Sequence, residues 1–151
     1  MSPQERSSCR ERTVIKGPVQ VTSHCEEKSG ADVVTLTVRN EHEDSTARLM
    51  SLTLDFCGVP EVIESPRGWK VNVFSYFSSD GPSHVKIRPE GKFKEKHVGV
   101  PSGGVLEGVR LRFVGQWRHR CSYLYDLTNT SGPMGVGMVS CTHDFCVSPE
   151  K

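Results

Sequence analysis

The stretch from Val105 to Leu127, VLEGVRLRFVGQWRHRCSYLYDL, constrains the fold more than any other part of the chain. Val109, Leu111, Phe113 and Trp117 fall on one parity and Arg110, Arg112 and Gln116 on the other. That is the two-residue period of a strand with one buried face. Cys121, Tyr123, Tyr125 and Leu127 repeat the period. Arg118, His119 and Arg120 lie between the two runs, so the stretch reads as a tight antiparallel hairpin with a basic, exposed connection. Such a hairpin is expected near the middle of a sheet.

The same period recurs along the chain. Val19 and Val21 alternate with Gln20 and Thr22, after a Gly17-Pro18 interruption suited to an edge strand or a bulge. Val34, Leu36 and Val38 share a face, as do Met50, Leu52, Leu54 and Phe56, and then Trp69, Val71, Val73 and Phe77. His84–Arg88 makes a short strand, and Met134, Val136 and Met138 alternate with Gly135 and Gly137. Glycines there weaken a lone strand, so this run is expected to lean on its neighbours or let another backbone come close. Polar turns separate the runs, among them residues 40–46 (NEHEDST) and 78–83 (SSDGPS). The connection VPEVIESPRG is too broken by proline and glycine for a long helix, and Pro89–Gly104 reads as a long loop. No segment carries a sustained 3.6-residue stripe.

Seven to nine short strands joined by polar turns predict an all-β fold, an antiparallel β-sandwich of immunoglobulin-like size. A single domain over 13–147 is expected, with a loosely attached polar tail at 1–12 and a short tail at 148–151. At 151 residues the chain is long enough to bury a core without needing a metal or a disulfide to fold, and no cofactor is expected.

Charge narrows the partners. Lys plus Arg exceed Asp plus Glu by 19 − 18 = 1, so no global field draws the chain to nucleic acid or to an anionic membrane. No run approaches the roughly 18 apolar residues of a membrane helix. The first twenty residues lack the apolar middle of a secretory signal. Against a cytoplasmic reading stand an even count of six cysteines and the sequon Asn129-Thr130-Ser131, which together suit an exported protein whose signal has been removed. Cys25, Cys57, Cys121, Cys141 and Cys146 are the disulfide candidates, and Cys9 sits in the tail. Cys57, Trp69 and Cys121 meet the immunoglobulin cysteine–tryptophan–cysteine order only loosely, because Cys57 lies on the parity opposite its strand's apolar set.

Three constellations bear chemistry. Arg110, Arg112, Arg118, His119 and Arg120 put five basic groups within eleven residues, a candidate ligand-binding patch with fork-like donors for a carboxylate, sulfate or phosphate. The plainer reading of these arginines is solubility and protection of a sheet edge. Cys141, His143 and Cys146 offer either a small disulfide loop or, alternatively, three ligands to a metal. Trp69 and Trp117 could stack on a sugar, but both share parity with core residues and are expected to pack inward. Lys92, Lys94, Lys96 and His97 form a further contact surface in the long loop.

Catalysis finds little support. His24-Cys25 and His119-Cys121 supply nucleophile and base types, but neighbours on a strand point to opposite faces, and no phosphate loop, G-x-S-x-G elbow or H-E-x-x-H is present. The sequence therefore predicts a non-enzymatic binding module that meets a protein, a glycan or an anionic ligand through its loops or its arginine face; the alternative is a Cys/His metal-binding or thiol-active protein centred on Cys141, His143 and Cys146. Nucleic acid and membrane insertion are not expected, and an edge strand is open to self-association.

Overall fold

The computed structural model describes residues 13–15, 18–75, 82–90, 99–129 and 131–139. Eleven strands are formed: β1 (Thr13–Ile15), β2 (Val19–Lys28), β3 (Ala31–Asn40), β4 (Arg48–Cys57), β5 (Glu61–Glu64), β6 (Trp69–Ser75), β7 (Pro82–Pro89), β8 (Val100–Pro101), β9 (Val105–Phe113), β10 (Arg118–Asn129) and β11 (Gly132–Val139). The strands of seven residues or longer fall within the expected seven to nine. The additional β1, β5 and β8 are two to four residues long, too short for a period to show in the sequence.

Two antiparallel sheets make a sandwich. The first runs β1-β2-β3-β9-β5 and the second β11-β10-β4-β7-β6, with β8 pairing β4 beyond the end of β7. Leu36, Leu111 and Phe113 from the first sheet meet Leu54, Phe56 and Ile87 from the second, all almost fully buried. Each such side chain contributes about 1.5–3 kcal/mol by leaving water, so the alternating runs hold the sheets face to face. Trp69 and Trp117 pack against this core as their parity requires. Trp117 stacks on Phe113 at a centroid distance of 4.4 Å, and its Nε1 donates to Asp32 Oδ2 at 2.6 Å.

One expectation is overturned. β9 and β10 are not a hairpin: β9 pairs β3 and β5 in the first sheet, whereas β10 pairs β4 and β11 in the second. Residues 114–117 cross from sheet to sheet, turning at Gly115 with φ 86°. Arg118, His119 and Arg120 open β10 rather than forming an exposed tip. Both sheets share one core, so an arch between sheets and a hairpin within one produce the same alternation; only strand pairing separates them.

Local departures have local causes. Leu36 pairs Val109 while Val38 pairs Leu106, leaving Glu107 and Gly108 opposite Thr37 in a bulge. Gly108 takes φ 98°, which lets Leu106 point inward despite its parity. In β11, a Cβ at Gly137 would lie 2.2 Å from the Tyr125 ring. The glycine thus admits a neighbour, as expected of this run, though the neighbour is a side chain rather than a backbone.

At one end of the sandwich, fully buried Asn40 ties three segments together. Its Nδ2 donates to Ala47 O at 3.1 Å and Val100 O at 2.9 Å, and its Oδ1 accepts from the His42 amide at 3.1 Å. Asp44 continues the network: its carboxylate accepts from the Thr46 amide and hydroxyl and from Asn129 Nδ2 at 3.0 Å. These bonds hold the Asp44 carboxyl below its ordinary pKa, the Thr46 hydroxyl bond foremost.

Candidate functional site

The five basic residues expected to form one patch divide between the sheets. Arg110 and Arg112 project from the outer face of the first sheet, where β5 brings Glu64 and Glu61 opposite them. Arg110 Nη1 lies 3.5 Å from Glu64 Oε1, and Arg112 Nη1 lies 3.5 Å from Glu61 Oε1. Each guanidinium therefore already faces a carboxylate. Such exposed pairs contribute about 0.2–1 kcal/mol each, and β5 was not visible as a strand in the sequence. Arg118 belongs to the second sheet, opposite Cys57, and the backbone of His119 and Arg120 follows it there.

Of the candidate cysteines, Cys25 and Cys57 stand in different sheets. Cys25 is half-buried against the core in β2, whereas neighbouring His24 is exposed, as alternation demands. Cys57 ends β4 at 5% exposure. Cys121 falls where the β10–β4 register shifts between His119 and Tyr123. Cys141, His143 and Cys146, with Lys92, Lys94, Lys96, His97 and Phe77, lie outside the described residues. Among the described residues no group of three or more His, Cys, Asp or Glu gathers as metal ligands would.

The outer face of the second sheet has a different character. Strand register sets Phe74, His84 and Asp55 in one row, and Asn72, Lys86, Thr53 and Leu124 in the next. Phe74 is 48% exposed and Leu124 43% exposed, two large apolar side chains on a parity that is otherwise polar. Between them His84 Nδ1 and Asp55 Oδ1 pair across β7 and β4. Lys70, Lys86 and Arg88 make the β6–β7 side of this face cationic, and no ion pair joins them to another described residue.

Sequence reasoning passed over this face. Its signal was present, because Phe74 and Leu124 are large apolar residues at outward positions of otherwise regular alternations. What the sequence could not supply is their convergence, since β6 and β10 are separated by β7 and β4 in the sheet.

No known family and no curated protein matches the chain. Among solved structures, it is similar to an uncharacterized protein from Nocardia farcinica with an immunoglobulin-like fold: 21% identity, TM-score 0.51, covering 78% of this chain and 81% of that one. A weaker likeness, at 13% identity and TM-score 0.41, is to a cohesin module from a Clostridium perfringens family 33 glycoside hydrolase, covering 83% of this chain and 94% of that one. The first likeness agrees with the two antiparallel sheets described above, and the chain has the immunoglobulin-like β-sandwich fold.

Proposed function

We propose that this β-sandwich is a non-enzymatic protein-interaction module whose contact surface is the outer face of the second sheet. The observation that carries the reading is the exposure of Phe74 and Leu124 on a broad sheet face between polar neighbours. Aromatic and aliphatic anchors set in a polar surround are the residues that dominate protein–protein contacts. Lys70, Lys86 and Arg88 favour a partner that brings carboxylates beside its apolar contacts. The arginine face of the first sheet is the weaker candidate, because Glu61 and Glu64 already answer its charge.

Photo-crosslinking tests this. A benzophenone amino acid at position 124 or at position 112 is exposed to extract or medium of the producing cell. The expected result is a discrete protein adduct from position 124 that Phe74→Asp abolishes and Arg112→Glu preserves. Adducts from position 112 alone would move the contact surface to the arginine face.

An oxidised cysteine framework belongs to the same reading. Its support is that the sulfurs of Cys25 and Cys57 are both engaged, with Cys121, Cys141 and Cys146 as candidate partners. A thiol count on denatured, unreduced protein should find no more than about two free thiols. Six free thiols would remove the framework from the proposal.

A further inference from the structure

β6 closes one side of the second sheet, and among the described residues its one ladder partner is β7. The Glu90 amide donates to Gly68 O at 2.9 Å, immediately beyond the Trp69–Pro89 pair. In an antiparallel ladder that bond marks Trp69–Pro89 as a non-hydrogen-bonded pair, consistent with the missing N–H of Pro89. Lys70, Asn72 and Phe74 therefore direct their backbone groups to β7, while Val71 and Val73 direct theirs to the open edge. The Trp69 amide is taken by Pro66 O at 3.0 Å. Val71 and Val73 pack against the core yet remain half-buried, as befits the rim of the sandwich.

This strand is its own antiparallel complement. Rotated about a two-fold axis beside Asn72, WKVNVFS sets Val71 opposite Val73 of a second copy, Asn72 opposite Asn72, and Lys70 opposite Phe74. The two Val71–Val73 pairs then exchange four N–H···O bonds and continue the apolar layer. Lys70 meets the ring of Phe74 in the closer, non-hydrogen-bonded kind of pair, which suits a cation–π contact. The two Lys70 side chains stand about four residues apart, roughly 13 Å at strand rise, beyond the screening length of about 8 Å in physiological salt.

We propose that this chain forms a two-fold symmetric dimer by antiparallel β6–β6 pairing, which joins the second sheets of two copies into one. The arrangement is closed, because each copy uses up the edge that the other needs. A contact one strand wide is smaller than the roughly 1,200 Å² of a standard stable interface, so the dimer is weak and concentration-dependent. The dimer would cover Phe74 and Lys70 of the docking face, whereas Leu124, three strands away from β6, belongs to that face alone, so crosslinking from position 124 and self-association through β6 report separately.

Sedimentation equilibrium of the full chain, from micromolar to near-millimolar concentration, tests it. The weight-average mass should climb from 16.8 kDa toward twice that value. Asn72→Asp sets two carboxylates face to face across the axis, yet within one copy it faces Lys86. It should fold with an unchanged or raised Tm and weaken the dimer at least about tenfold. Asn72→Cys should give a reducible crosslink between copies, since non-hydrogen-bonded partners lie about 4.5 Å apart at Cα, within disulfide range. Lys70→Cys should give none. A mass of one copy at every concentration, or a dimer that Asn72→Asp leaves intact, overturns the proposal.

Discussion

Asn40→Ala should destabilise the protein by about 3–5 kcal/mol. The side chain is fully buried and makes three hydrogen bonds, two to the carbonyls of Ala47 and Val100 and one from the His42 amide. Three bonds at a net of about 1 kcal/mol each give the lower figure, and a carbonyl left dry where Ala47 is itself buried adds about 1–2 kcal/mol. In a chain of this size the loss lowers Tm by roughly 10 °C. Asn40→Asp is the sharper variant, because it preserves shape and the acceptor for His42 but aims an oxygen at two carbonyl oxygens. It should cost more than alanine at neutral pH. Urea unfolding followed by the fluorescence of Trp69 and Trp117 reads both, with an unchanged slope against denaturant showing that only stability has moved. A loss below about 1.5 kcal/mol for alanine, or a milder effect for aspartate than for alanine, would refute the reasoning, because neither fits a dry site that needs a donor.

Four further outcomes follow from particular contacts. Gly137→Ala should cost about 1–3 kcal/mol by overpacking against Tyr125, and the penalty should disappear in a Tyr125→Ala background when the two are measured as a double-mutant cycle. Trp117→Phe retains the stack on Phe113 but removes the donor to the buried Asp32 carboxyl, a loss of about 1.5–3 kcal/mol by chemical denaturation. Arg112→Glu disrupts an exposed pair with Glu61 and should change stability by less than about 1 kcal/mol. The Asp44 carboxyl titrates below its ordinary value in the folded chain, so its stabilising contribution is complete above the unfolded value near 3.8 and is lost as pH falls through the lower, folded value. Hydrogen exchange at the Thr46 amide should therefore gain protection as pH rises through that acid range, beyond the intrinsic pH dependence of exchange, and Asp44→Asn should flatten the excess.

Alternation along the chain determined the class of fold. Runs such as Val34-Leu36-Val38 and Leu52-Leu54-Phe56 have one way to bury their apolar side chains together, which is to place flat sheets face to face. It also determined that Trp69 and Trp117 pack inward, since a strand's geometry fixes the side to which each side chain points. Tertiary structure decided which strand lies beside which. Val105–Phe113 and Arg118–Asn129 lie in different sheets, which the local pattern does not reveal, because alternation is the same for either arrangement. That choice separated Arg110 and Arg112 from Arg118, and the short β5 set Glu61 and Glu64 against the first two. It also brought Phe74, His84, Asp55 and Leu124 onto one surface from four different strands. A side chain's facing is a property of its own strand and can be read residue by residue, whereas neighbourhood across a sheet depends on long-range pairing, which no single segment encodes.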